Sequence, residues 1–279
     1  MGRPDGKRVK DANPMYQVAC YVMKERNDAQ NMITLHIPIE PMNRYIREKQ
    51  RQGVTISHLA LIIGGYLRLC AEFKRLNDFV VNSRIYRRQD FTCGMVVLKP
   101  GETDGTMNKM HMNFTDDIFE VQKKLDAYIA QNRASGDTNA TDKLVRKLLS
   151  VPGLVRIGVG LISWLDRHNL LPKAVIEASP FHVSMCISNL ASIRTNHIYH
   201  HCYNFGTTSM FITMGNLVDV PRRGLMRTVT TERCLPLGVV MDERIASGSY
   251  FALAFQRMRA YLMNPELLEG APTFELFSH

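Results

Sequence analysis

Apolar and polar positions alternate across NMITLHIPI, residues 31–39, and the run is rich in β-formers, so a strand is predicted there. EPMNRYIREKQRQG follows, with Pro41 near a helix start and Gly53 past its end. The next stretch, 55–73, offers Thr55 or Ser57 as an N-cap and a broad apolar face, the pattern of a largely buried helix. Its Gly64-Gly65 pair suits close helix packing. Residues 79–102 read as strands broken by turns at Asn82-Ser83 and Pro100-Gly101. In 113–134, Thr115 stands as a cap with acids in the first turn, and Ile118, Val121, Leu125, Tyr128 and Ile129 share one face.

Helical patterns continue through 140–173, interrupted at Pro152-Gly153. Strands return at 181–190, 208–217 and 234–245. From Ser247 a last periodic segment runs to 268, with Phe251, Ala254, Phe255, Met258, Tyr261 and Leu262 on one stripe. Strands and helices in this arrangement place the chain in the α+β class. No internal repeat divides it. The expected organisation is a leader over residues 1–30 and one domain over 31–279.

The longest apolar stretch, LVRIGVGLISWL at 154–165, carries Arg156 and is shorter than the roughly 20 residues that cross a bilayer. No transmembrane segment is expected. A helix packed in the core or in an oligomer is the default, and contact with a membrane interface is the alternative. The chain of 279 residues is 45% hydrophobic, enough for a substantial core. Its six cysteines form no CxxC pair and its first residues lack a signal-peptide apolar region, which points to a reducing, cytoplasmic setting.

A net charge of +9 suits an anionic partner such as a phosphorylated cofactor or acidic lipid. The basic residues are scattered, with small clusters at 7–10, 86–88 and 221–227 that are expected to be solvated. No nucleic-acid motif accompanies them, so no nucleic-acid partner is expected. No glycine-rich phosphate loop and no zinc spacing occurs, and no metal is expected. The densest group of metal-capable side chains is YHHCY, 199–203; on a strand, His200 and His201 would point to opposite faces and not share an ion.

MDERIASGSYF, 241–251, closes an apolar strand and opens the last helix. Glu243 there is either a salt-bridged strand end, paired with Arg244 directly or through Asp242, or a general base. A carboxylate is a weaker base than imidazole toward a thiol, and burial would have to compensate.

Several of these stretches together resemble a family. MCISNL is similar to the strand bearing ISNLG, and FITMGNL to the strand that closes the core, in chloramphenicol acetyltransferase-like proteins. Within them the resemblance is to the catalytic domain of the acyltransferase component of 2-oxo acid dehydrogenase complexes. The passage from VTISHLALIIGG to VVLKPG looks like that family's long helix, its P-x-L-N passage and the following strands. MDERIASG and its helix resemble the DHRVVDG turn, and NPELL closes both in one register. YHH, FGTTS and DER are similar to a stand-alone bacterial branch.

The resemblance implies a mixed sheet flanked by helices in a two-layer sandwich, and a homotrimer whose active sites lie between subunits. It implies coenzyme A or acyl-CoA as substrate, a small-molecule or protein acceptor, and no metal. In the family the HxxxDG histidine deprotonates a thiol, and a serine on the ISN strand donates to the oxyanion. Carried over, Ser188 keeps the serine, while Arg244 and Gly248 keep the motif frame. Glu243 stands at the histidine and Ser247 at the aspartate. His200 or His201 is the other candidate base. The implied function is CoA-dependent acyl transfer; the alternative is an inactive acyltransferase-fold binding or scaffold protein. The helical stretch of about 137–173 is longer than the family pattern.

Overall fold

The computed structural model describes residues 3–98, 105–134, 150, 153–223, 229–270 and 272. Along the chain run β1 (Lys7–Arg8), α1 (Pro14–Val22), β2 (Gln30–Pro38), α2 (Ile39–Arg51) and α3 (His58–Glu72). They are followed by β3 (Asp78–Val81), β4 (Arg84–Arg87), β5 (Phe91–Leu98), β6 (Gly105–Met112) and α4 (Ile118–Ala134). Next come α5 (Leu154–Arg167), α6 (Lys173–Ala178), β7 (Met185–Asn189), β8 (Met210–Met214), β9 (Val218–Arg223), β10 (Val229–Asp242) and α7 (Gly248–Met263).

A mixed seven-stranded sheet has the order β2-β10-β8-β7-β5-β6, with β9 added on β10. β7 runs parallel to β5 and β8, and the other pairs are antiparallel. β1, β4 and β3 make a separate antiparallel sheet. One face of the large sheet presents Met185, Ile187, Met210, Ile212, Leu237 and Val239 to α2, α3, α4 and α7, and this contact is the main core. Each large aliphatic side chain buried there contributes roughly 1.5–3 kcal/mol.

α3 is the core's centre, with every residue after its first buried. Ser57 caps it by accepting from Ala60 N at 3.1 Å, as one of the two sequence candidates requires. A Cβ on Gly65 would stand 2.9 Å from Met258 Sδ, so this glycine lets α7 approach. Glu72 at the end of α3 accepts from Arg257 Nε of α7 at 2.9 Å and from Tyr261.

The sheet's second face carries Cys186, Phe211 and Val240, with Val183 and Cys202. Residues 195–201 cross it as an extended strap. A Cβ on Gly238 would lie 2.5 Å from Ile198 O, so only a glycine lets the strap sit against the strand. Thr213 Oγ1 accepts from Ile198 N at 3.2 Å and donates to Ile198 O at 2.5 Å.

Boundaries differ from expectation in physically readable ways. α4 is capped by Asp117, whose Oδ1 accepts from Phe119 N and Glu120 N, both at 2.9 Å, and not by Thr115. The 181–190 strand starts at Met185, because Phe181 O is taken by Thr207 N and Ser184 N reaches Thr92 O. β10 begins five residues early and stops at Asp242, where the chain turns. Asn82 and Ser83 have φ of 47° and 54°, the left-handed pair of a tight hairpin.

The basic cluster at 86–88 is only partly solvated. Arg87 is held by Asp78 at 2.8 Å, and Arg88 is buried, donating to Thr207 Oγ1 at 2.6 Å. The first residues are tied in as well: buried Arg3 bridges Asp5 and Asp166, both at 2.8 Å. The six cysteines are free and buried. Among the described residues, no helix is long and apolar enough to cross a membrane.

Candidate functional site

Ser188 lies near the end of β7, in register with Thr213 of β8, which is in register with Gly238 of β10 and so with Thr34 of β2. By alternation it shares the face of Cys186 and Phe211. β5 and β7 pair only from Cys93 to Met95 and then part. Ser188 borders the opening they leave, a cavity of about 380 Å³ whose apolar wall includes Leu59, Met95, Val97 and Ile129. Asn189, Ser192 and Arg133 are its other polar neighbours. Val96, Leu98 and Ile193 at its rim are 47%, 40% and 54% exposed.

Glu243 sits past the end of β10. Its backbone N donates to Ala29 O at 2.8 Å, and its Oε2 accepts from Asn31 Nδ2 at 2.6 Å. It borders a second cavity of about 380 Å³, walled by Met15, Tyr16, Ala19, Met23 and Ala246. Met15, Val18 and Val22 on α1 are 73%, 53% and 75% exposed beside it.

Arg244 does not pair with Glu243. Its guanidinium makes a bidentate bond to buried Asp242, at 2.8 and 2.7 Å, and caps Met23 O and Lys24 O. Buried Arg26 approaches the same carboxylate at 3.5 Å. This fixed turn aims Glu243 outward. Ser247 caps α7, accepting from Tyr250 N at 3.1 Å, and also meets Ser249 Oγ at 2.9 Å. Gly248 opens that helix and faces open space.

His200 and His201 are on the strap, not on a strand, so their rings do not alternate. They stack with centroids 5.0 Å apart, contrary to the opposite-face expectation. His200 also lies flat on Phe211 at 4.1 Å, its Nδ1 2.9 Å from His201 O. Among the described residues no group of three His, Cys, Asp or Glu side chains is placed to hold a metal.

Register fixes how far apart these groups are. Phe211 pairs with Cys186, two residues before Ser188, so the Phe211 backbone, under the ring on which His200 lies, is about 8 Å from Ser188 across the face. Glu243 is five residues beyond Gly238 and two strands over, about 19 Å from Ser188. Within one chain the register therefore does not bring Ser188 and Glu243 together.

Sequence reasoning missed a cationic pocket that continues the Glu243 cavity. It holds about 240 Å³, shares Asn13 and Tyr16 with that cavity, and is lined by Lys74, Arg75 and Arg87 against Asp11 and Asp78. Arg75 is flanked by the Tyr16 and Tyr250 rings, 5.7 and 5.4 Å from their centroids. The basic pair before the Leu-Asn passage was visible in sequence; its place beside MDERIASG was not. His197 was also missed. Its Nε2 is 3.0 Å from Thr34 Oγ1, and burial pushes its pKa down.

The fold that carries these residues is that of chloramphenicol acetyltransferase-like acyltransferase domains. Comparison with solved structures finds a probable dihydrolipoamide acetyltransferase from Listeria monocytogenes at TM-score 0.57 and 11% identity, covering 92% of this chain and 94% of that one. The cubic core of the pyruvate dehydrogenase multienzyme complex matches at TM-score 0.58 and 12% identity, with 94% of each chain covered. A chloramphenicol acetyltransferase matches at TM-score 0.56 and 11% identity, covering 92% and 99%. No family model and no curated protein matches the sequence.

Proposed function

We propose that the protein transfers an acyl group between a coenzyme A thioester and an acceptor, in a homotrimer that joins the Ser188 half-site of one subunit to the Glu243 half-site of the next. The observation that carries this reading is the division itself. Ser188 and Glu243 each edge an apolar cavity, each rimmed by exposed apolar side chains of the kind that oligomer contacts cover. Ser188 Oγ supplies the hydrogen bond to the tetrahedral oxyanion, and Glu243 takes the thiol proton. The pocket of Lys74 and Arg75 receives phosphate oxygens of the cofactor, with the Arg75 guanidinium oriented by its two tyrosine rings.

A second reading is favoured by the use of Ser247 as a helix cap and of Asn31 as the partner of Glu243. In it the fold binds an acyl thioester without transfer. Calorimetric titration with acetyl-CoA, paired with chromatographic measurement of the free coenzyme A thiol released as the acetyl group passes to a dihydrolipoamide thiol, separates the two. Acyl transfer requires binding with release, and Glu243→Gln should lower release by about 100-fold or more. His200→Ala and His201→Ala should leave most of it. Binding with no release on any thiol acceptor would support the second reading. A loss confined to His200→Ala would move the proton to that ring.

A further inference from the structure

The helix α5 is unusual in where it puts its apolar side chains. Ile157, Leu161 and Trp164 recur at i, i+4 and i+7, within about 60° of one helix face. They are 69%, 56% and 51% exposed, so the helix does not pack this face into the chain's own core, one of the placements expected from sequence. Its one buried residue with a described side chain is Asp166, held by Arg3 at 2.8 Å. Arg167 reaches Glu25 at 3.1 Å, so the C-terminal end is fastened to the body by ion pairs while the apolar face stays open.

Charge decides what fits this face. Over the described residues 153–173, Arg156, Arg167 and Lys173 stand against Asp166, a net +2, within a chain of net +9. Arg156, Lys173 and Lys24 are exposed around the helix, and the one acid on it is consumed by Arg3. A second copy laid on the stripe by two-fold symmetry would set these cations against themselves. An anionic bilayer surface complements them and takes the apolar stripe at the acyl boundary, where tryptophan settles.

We propose that α5 docks the protein on anionic lipid surfaces, lying in the interface plane with Ile157, Leu161 and Trp164 inserted. The helix is too short to span. Docking is peripheral, reversible and weakened by salt.

Trp164 is the only tryptophan, so its fluorescence reports on this helix alone. Vesicles of phosphatidylglycerol should shift its emission to shorter wavelength, make it quenchable by brominated lipid and sediment the protein. Pure phosphatidylcholine vesicles should bind about ten-fold less or weaker still, and high salt should remove the difference. Leu161→Ser should lower partition by about ten-fold with an unchanged circular dichroism spectrum and unchanged thiol release. No shift with anionic vesicles at low salt overturns the proposal, as does equal partition into both lipids. A tryptophan already shielded without lipid, in a way that tracks protein concentration, assigns the face to a second copy and also overturns it.

Discussion

Asp242 is the residue on which the motif turn depends. It is wholly buried, with Arg244 bonded to both carboxylate oxygens and Arg26 at 3.5 Å. Removing it strands two buried guanidinium groups, so Asp242→Ala should lower unfolding free energy by about 3–5 kcal/mol in urea titration. An unchanged midpoint would mean that the pairs contribute nothing. The sequence placed Asp, Glu and Arg side by side without saying which two would pair. The end of the strand decides it: Asp242 closes β10 on the side of Val240, and Glu243, past the last strand residue, turns toward Asn31. Neighbouring acids in sequence thus take opposite tasks, one structural and one available for chemistry.

Among elements, the helices were the more legible. The α3 and α7 stripes, the Ser57 cap and the Gly64-Gly65 contact all follow from periodicity and capping chemistry, whereas the Ser247 cap did not figure in the sequence reading. The strap was not legible, because 195–201 has no period and gains its place from tertiary contacts, among them Gly238 beneath it and the Thr213 hydroxyl bonded to Ile198. Gly238→Val should push it away and speed amide exchange at Ile198, whose N–H donates to Thr213. It should also cost about 1–3 kcal/mol through overpacking. Unaltered exchange at Ile198 would show the strap to be held elsewhere. The same blind spot explains His200 and His201. Alternation rules apply to strands, and a strap on a sheet stacks its rings instead.

At the scale of the molecule, the buried network of Arg3, Asp5, Arg88, Asp166 and His182 links the first residues to α5 and to the approach to β7. Burial pushes His182 below its ordinary 6.5, with nearby Asp166 opposing. The unfolded chain therefore takes up a proton that the folded one refuses, and stability is lost as pH falls below about 6.5. Burial alone would raise Asp5 and Asp166, but Arg3 bonded to both, and His182 beside Asp166, bring each below 3.8. Their contribution is present above that value and lost as pH drops through the folded one. The urea midpoint should fall from pH 7 to pH 5, and His182→Gln should flatten the fall. A midpoint rising over this range would contradict the network's role.

The fold as a whole was legible through MCISNL and MDERIASG, which fall on β7 and at the end of β10. What no single chain's sequence conveyed is that Ser188 and Glu243 stand about 19 Å apart, as strand spacing requires. Mixing Ser188→Ala subunits with Glu243→Gln subunits and measuring thiol release from acetyl-CoA tests their pairing across subunits most directly. Each variant alone should be nearly inactive, while random trimers should regain about one quarter of wild-type activity, the share of sites that keep both groups. Mixed trimers as inactive as their parents, with acetyl-CoA binding intact, would contradict the shared site.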